Sequence, residues 1–228
     1  MNSSQIISPP SGTAKPRRIL YSRVPSPAAL VLIPADETDF SSVSRLCDAL
    51  SEHALDCAAF EVNWTNELAP WDAEAVFKAQ APFKGGAHNT LKYIDEMLLP
   101  SLERSETLPL IIGGYSLAGL FALWCGFNSL TFDGVAAASP SVWYPGFIEY
   151  IQSVPFHAHC AALSLGDTEA AVRHPLLRTV DDHIKQTRAL LSKQNVRVRL
   201  DYNPGNHFVD ADQRLVSCII TAAELLRA

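Results

Sequence analysis

Three polar side chains of this sequence are spaced so that they could act as a nucleophile, a base and an acid. The possible nucleophile, Ser116, lies in Gly114-x-Ser116-x-Ala118, between the apolar runs 110–113 and 117–124. A serine on a sharp turn between a buried strand and a helix forms a nucleophile elbow, because the turn lifts its hydroxyl out of the sheet. The flanking positions must be small, and Ala118 stands where glycine is more usual. The motif alone occurs by chance in roughly one such chain in six, so its weight comes from the runs around it.

The partners that an activated serine needs follow it in the expected order. A carboxylate and then a histidine must each lie on a loop that follows a later strand. The predicted strand 158–165 is followed by Asp167 and Glu169, and the last predicted strand, 196–202, is followed by His207. The serine would attack an acyl carbonyl, His207 would take up and return its proton, and a carboxylate would orient the imidazole. The residues alone leave both carboxylates open as the acid.

Strands and helices alternate along the chain, and they must position these three side chains. The predicted strands cover 18–23, 28–33, 55–62, 108–113, 132–139, 158–165 and 196–202. Helical spacing of apolar residues predicts helices at 40–51, 89–102, 147–152, 180–193 and 213–227, besides the run after the serine. This alternation predicts an α/β fold with a mostly parallel sheet and helices on both faces. The aromatic stretch 63–92 interrupts the pattern, as functional loops often do.

Length and charge restrict the classes of protein to which the chain could belong. The 228 residues predict a single domain over 19–228, preceded by a flexible, polar tail over 1–18. The net charge of -6 argues against nucleic acid or an anionic membrane as the main partner. Residues 107–132 carry no charge, but Pro109 and several glycines interrupt them, so a buried strand and helix explain them better than a membrane span.

The cysteine and histidine residues outside the serine site do not favour a metal or redox centre. The cysteines are odd in number and none has C-x-x-C spacing; they are Cys47, Cys57, Cys125, Cys160 and Cys218. We expect buried, reduced thiols in a cytoplasmic protein. His157 and His159 have metal-like spacing but stand at the start of a predicted strand, the end opposite the serine site. The sequence therefore predicts neither a metal nor a cofactor.

The chain resembles the α/β-hydrolase superfamily, and within it the esterase branch of esterase D-like and enterochelin esterase-like proteins. The resemblance covers about residues 28–228. It is carried by Gly-Gly-Tyr-Ser-Leu-Ala-Gly and the apolar run after it at 113–124, Ala-Ser-Pro-Ser-Val-Trp-Tyr at 138–144, Ser-Leu-Gly-Asp-Thr-Glu at 164–169 and Gly-Asn-His-Phe at 205–208. It implies the hydrolase fold. In that superfamily the acid commonly takes the fourth position of a G-x-x-D-like stretch, so the resemblance favours Glu169 over Asp167.

The same fold implies an oxyanion hole and a substrate pocket. One backbone N–H donor would be that of Leu117, and the second that of Ala35 or Asp36, on the loop after strand 28–33. Four aromatic residues could line the pocket or pack beneath its loops. They are Trp143, Tyr144, Phe147 and Trp71.

These features together predict a serine hydrolase acting on a small-molecule carboxylic ester or thioester. Two alternatives stay open: an acyltransferase with the same triad, and a hydrolase-fold protein that binds a ligand or partner without catalysis. Little chain length is left for a lid, so we expect an open site and an acyl group of modest size. Nothing in the sequence indicates the oligomeric state.

Overall fold

The computed structural model describes the backbone at 3–7 and complete residues at 17–36, 38, 40, 42–76 and 81–228. The chain divides into two compact units, Met1–Leu110 and Ile111–Ala228. A strand, Ser3–Ile7, occupies part of the expected tail. The remainder of that tail before Arg17, residues 1–2 and 8–16, lies outside the described residues. A single domain over 19–228 stays a prediction.

The strands of the first unit carry the order β1-β2-β4-β3. Their bounds are Ser3–Ile7 for β1, Arg17–Ser22 for β2, Ala29–Asp36 for β3 and Leu55–Val62 for β4. β1 and β4 both pair with β2 in antiparallel fashion, whereas β3 and β4 are parallel, from Ala29 opposite Leu55 to Asp36 opposite Val62. β3 and β4 are buried over nearly their whole length. The continuous apolar run 28–33 predicts this for β3, whereas β4 also buries the charged residue Asp56.

The first helix of this unit corrects the prediction about the cysteines. The helix α1, Val43–Ser51, buries Val43, Leu46, Cys47 and Leu50. Its face lies on β4, and this brings Cys47 into a disulfide with Cys57, ten residues further on. The prediction of reduced thiols is therefore wrong for this pair. Cys125, Cys160 and Cys218 are free and buried, as expected.

The stretch after β4 holds more regular structure than its sequence indicates. It contains α2 (Trp64–Glu67), α3 (Ala87–Tyr93), a π-helical turn (Ile94–Leu98) and α4 (Leu99–Ser101). The predicted helix 89–102 is thus built from three pieces, and Pro100 lies in the first turn of the last piece. Since proline lacks an N–H, it cannot extend a regular helical ladder. Residues 77–80 of this stretch lie outside the described residues.

The second unit is a parallel sheet in the order β5-β6-β7-β8. The strands are β5 (Leu110–Tyr115), β6 (Gly134–Ala138), β7 (Cys160–Gly166) and β8 (Arg197–Asn203), and the helices are α5 (Leu117–Asn128), α6 (Phe147–Ile151), α7 (Val180–Lys193) and α8 (Ala211–Arg227). Parallel strands end at the same edge, so the loops after these four strands meet there. The uncharged helix α5 is buried from Leu117 to Phe127. Over the described part of the chain, no helix is both long and apolar enough to cross a bilayer.

Candidate active site

Ser116 occupies the sharp turn between β5 and α5. Its backbone has φ 56° and ψ −118°, a conformation that residues other than glycine rarely adopt. Neighbouring backbone groups hold this conformation. The Ser116 N–H donates to the carbonyl of Ala138 over 3.0 Å, and the Ser116 carbonyl accepts from the N–H groups of Leu120 and Ser141, each at 3.0 Å. The strain is thus fixed by β6, by α5 and by the loop after β6.

The small residues around the serine allow the strand and the helix to cross closely. A Cβ atom at Gly114 would overlap the carbonyl group of Ala118. A Cβ atom at Gly119 would lie 3.1 Å from the carbonyl oxygens of Ala138 and Gly114. The closest approach therefore falls on Gly114, and the methyl group of Ala118 is accommodated. The departure from the usual glycine at this position leaves the elbow intact.

His207 links Ser116 to Glu169 by hydrogen bonds on both sides of its ring. The distance from His207 Nε2 to Ser116 Oγ is 3.0 Å, and from His207 Nδ1 to Glu169 Oε2 it is 2.8 Å. If Nδ1 donates to the carboxylate, Nε2 is the acceptor for the serine hydroxyl. The carboxylate side chain is 4% exposed, whereas the imidazole is 30% exposed and accessible to a substrate.

The second carboxylate oxygen of Glu169 is held by three donors. Oε1 accepts from Ser139 Oγ at 2.6 Å, from the N–H of Gly166 at 2.7 Å and from Arg214 Nη1 at 3.2 Å. Burial alone would raise the pKa of Glu169, but the hydrogen bonds from His207, Ser139 and Gly166 outweigh it and lower that pKa below its ordinary value. The carboxylate is therefore charged at neutral pH, with Oε2 directed at the imidazole.

Asp167, the other candidate acid, has a different environment. Its side chain is exposed. Its Oδ1 accepts from the N–H of Gly205 at 2.8 Å, and its own N–H donates to the carbonyl of Asn203 at 2.8 Å. Asp167 thus joins the loop after β7 to the loop after β8, and the contact with His207 belongs to Glu169.

Three further residues support this arrangement, and no role was predicted for any of them from the sequence. Besides Ser139 and Arg214, the hydroxyl of Tyr115 donates to the carbonyl oxygen of His207 at 2.7 Å. Burial raises the pKa of Tyr115, so this hydroxyl keeps its proton. In the sequence, Arg214 stands out only as a charged residue beside Leu215 and Cys218 on the buried face of α8, which does not by itself indicate a role in the site.

The predicted pocket residues of the second unit differ in burial. Tyr144 and Phe147 are 1% and 0% exposed, whereas Trp143 is half-buried. The loop that holds Trp143 and Tyr144 contacts α7, since His183 Nδ1 lies 3.0 Å from the carbonyl oxygen of Val142, and Phe147 begins α6 directly after it. Burial of Tyr144 and Phe147 favours the packing alternative for these two.

The remaining predicted site residues belong to the first unit. Ala35 and Asp36 are the last residues of β3. Ala35 is buried, and the Asp36 carboxylate accepts from the N–H and the hydroxyl of Thr38. Trp71 is half-buried.

The His, Cys, Asp and Glu side chains that the structure describes are the possible ligands of a metal ion. Within them, no three His, Cys, Asp or Glu side chains are grouped so that they could hold a metal ion. His159 instead lies beside Asp133, with 3.9 Å between its Nε2 and the carboxylate, and both side chains are substantially exposed.

The sequence matches no family model and no curated protein. Solved structures do resemble the whole chain. The siderophore hydrolase EstB from Aspergillus nidulans has a TM-score of 0.74 at 16% identity, over 96% of this chain and 93% of that chain. The enterobactin and salmochelin hydrolase IroE has a TM-score of 0.67 at 16% identity, over 97% and 94%. Est1E from Butyrivibrio proteoclasticus has a TM-score of 0.62 at 12% identity, over 99% of both chains. These similarities confirm the predicted architecture: the chain has the α/β-hydrolase fold.

Proposed function

We propose that the protein is a serine hydrolase that cleaves a carboxylic ester or thioester through an acyl-enzyme on Ser116. One observation carries this proposal: an unbroken hydrogen-bonded chain runs from Ser116 Oγ through His207 to Glu169. The strained backbone of the serine supports it, because strain of this kind persists where a turn presents a nucleophile. Two of the similar structures are described as hydrolases, which agrees with this chemistry.

The reaction would proceed in two matched halves. His207 Nε2 removes the proton of Ser116 while Oγ attacks the acyl carbon, and it returns that proton to the leaving alcohol or thiol as the old bond breaks. Water then takes the place of the alcohol, and the same proton transfers release the acid and free serine. Glu169 remains ionised throughout and stabilises the imidazolium that forms in each half.

The oxyanion of each tetrahedral intermediate would be bound by backbone N–H groups. We assign one of them to Leu117, the first residue of α5, because the first N–H groups of a helix lack partners within it and face negative charge favourably. The second would come from Ala35 or Asp36. Loss of one such donor typically costs about 3–4 kcal/mol in the transition state.

The substrate contacts are proposed at the level of a class. Trp143 is the aromatic residue of its loop that is half-buried, and we assign the pocket contact to it rather than to Tyr144 or Phe147. Trp71 remains a candidate from the first unit. We propose a small-molecule ester and no cofactor, since the triad chemistry requires none. A cytoplasmic location stays a prediction, which the Cys47–Cys57 disulfide does not favour.

A fluorophosphonate probe tests the nucleophile directly. We expect the wild type to be labelled and to hydrolyse members of a panel of esters and thioesters of graded size. Ser116→Ala should lose both properties. Ser153→Ala is a matched control, because Ser153 is exposed and its hydroxyl donates to the carbonyl of Tyr150. A wild type that is never labelled and hydrolyses no ester contradicts the proposal and points to a binding protein. Ester formation in the presence of an added alcohol would identify an acyltransferase.

A further inference from the structure

We propose that Arg214 is a positioning residue that holds both the acid and the base of this site, an inference that rests on the proposed function. Arg214 lies in the first turn of α8, and its side chain is 3% exposed. Its Nη1 atom is 3.2 Å from Oε1 of Glu169, and its Nη2 atom donates to the carbonyl oxygen of Pro204 at 2.7 Å.

The burial of this guanidinium needs an explanation beyond stability. Arg214 is the charged member of the buried set of α8, which otherwise holds apolar residues and Thr221. Removing a guanidinium and a carboxylate from water is costly, and replacement of a buried ion pair by apolar residues is often neutral or stabilising. A buried pair that includes the candidate catalytic acid is therefore better explained by its effect on that acid.

Arg214 contacts the loops of the acid and the base, and also the strand residue directly before the nucleophile. Glu169 lies on the loop after β7, and Pro204 belongs to the loop after β8 that also holds His207. Arg214 Nη1 also lies 3.5 Å from the hydroxyl of Tyr115, the residue directly before the nucleophile. That hydroxyl donates to the carbonyl oxygen of His207 at 2.7 Å. The histidine loop is thus held at two carbonyl groups, once by Arg214 itself and once through Tyr115.

The backbone makes room for this contact at Gly166. A Cβ atom there would lie 2.8 Å from Arg214 Nη1 and would overlap the carbonyl oxygen of Gly205. The backbone N–H of Gly166 donates to Oε1 of Glu169, the same oxygen that Arg214 contacts. The glycine therefore admits the guanidinium, the acid and the histidine loop together.

The charge of Arg214 acts on the acid and, through it, on the base. The titratable groups that contact or lie beside Glu169 are His207, Arg214 and the hydroxyl of Tyr115. A neutral side chain at position 214 would make protonation of the Glu169 carboxylate easier, because a neighbouring positive charge is removed. A protonated Glu169 would no longer stabilise the charged imidazole that forms during the proposed reaction. The acid limb of the kcat/KM profile should therefore move to higher pH.

Arg214→Met and Arg214→Lys test this role against Arg199→Met. Arg199 is a matched control, since it forms an exposed ion pair with Asp201. We expect kcat in Arg214→Met to fall about 10- to 100-fold, the loss that a misplacement of about 1 Å produces. KM should stay within about threefold, because a buried residue does not touch the substrate. Arg214→Lys should recover part of kcat, since it keeps the charge but cannot span both partners.

Combining the Arg214 substitution with Glu169→Gln distinguishes a role in positioning the acid from a general loss of structure. In Glu169→Gln enzyme, adding Arg214→Met should lower kcat by less than about threefold, because residues that act as a unit are not additive. Circular dichroism and thermal melting establish which variants fold. If Arg214→Met does not fold, the kcat of Arg214→Lys decides whether Arg214 has the proposed role.

The outcomes for the two proposals are distinct. Loss of activity in Ser116→Ala together with wild-type kcat in the position-214 variants overturns the role of Arg214 and leaves the proposed function standing. The role of Arg214 is also overturned if Arg214→Met lowers kcat equally in the wild type and in Glu169→Gln. The same holds if the acid limb of the kcat/KM profile does not move in Arg214→Met. Activity retained in Ser116→Ala overturns the proposed function, and the role of Arg214 falls with it.

Discussion

The hydroxyl of Ser139 donates to Oε1 of Glu169 over 2.6 Å, and both residues are buried. Ser139 itself has φ 43°, and its N–H donates to the carbonyl of Ser164 at 2.8 Å. The loop after β6 thus supplies a fixed donor to one carboxylate oxygen. The other oxygen, Oε2, is consequently the one that faces His207.

Removal of the Ser139 hydroxyl should weaken both stability and catalysis. Ser139→Ala takes a hydrogen bond from a buried charge, and we expect a loss of about 1.5–3 kcal/mol in the free energy of unfolding. The pKa of Glu169 should rise, since this bond is one of those that lower it. Urea unfolding and kcat, each compared with Ser153→Ala, provide the measurements. Equal stability of the two variants would contradict the assigned bond.

The two candidate acids should behave differently when their charges are removed. Glu169→Gln cannot orient the imidazole as the carboxylate does, so kcat should fall by up to about 10⁴-fold. Asp167→Asn keeps an oxygen for the N–H of Gly205, and kcat should stay within about twofold, as for most exposed substitutions. Steady-state kinetics with one ester compares them, and a larger loss from Asp167→Asn would reverse the assignment.

Sequence patterns were sufficient to predict which three loops would meet at the candidate site. Ser116, the loop of Glu169 and the loop of His207 each follow a strand of clear apolar pattern, and parallel strands must end at one edge. The choice of Glu169 over Asp167 depended on the resemblance, because both residues lie on the same short loop. Their different burial and hydrogen-bond partners become visible only in the structure.

The supporting residues could not be predicted, because their roles depend on contacts between distant parts of the chain. Arg214 is followed by Leu215 and Cys218 on α8, and a charged residue near the start of a helix usually faces water. Its burial arises from Pro204 and Glu169, which belong to two other loops. The disulfide was missed for a similar reason, since Cys47 meets Cys57 only once α1 packs on β4.

Stability should depend on pH through Glu169. Its pKa is lowered in the folded protein from an ordinary value of 4.5, so the unfolded chain binds the proton more readily. The stabilisation is present above about pH 4.5 and is lost as the pH falls through the lower folded pKa. The free energy of unfolding should therefore decrease more steeply below this value in the wild type than in Glu169→Gln. Urea titrations from about pH 6 to pH 3 provide the test, and parallel curves would count against it.

Because β5 and α5 cross closely at the serine, Gly114 should not tolerate a side chain. Gly114→Ala places a Cβ atom against the backbone carbonyl of Ala118, which cannot move away as a flexible side chain would. We expect the free energy of unfolding to fall by more than about 3 kcal/mol, which exceeds the usual cost of overpacking. The fluorophosphonate probe should no longer label Ser116. Ala118→Gly should cost only about 0.5–1 kcal/mol from helix propensity and retain activity.

Gly134→Ala provides the matched control for this crossing. Its Cβ atom would meet side-chain atoms, Cys160 Sγ and Leu226 Cδ1, at 3.2 Å, and these can shift. Gly114→Ala should therefore have a much lower melting temperature and much weaker probe labelling than Ala118→Gly and Gly134→Ala. Equal tolerance at Gly114 and Gly134 would mean that the strand and helix can separate at the serine. In that case the strain at Ser116 would not depend on the missing side chain at Gly114.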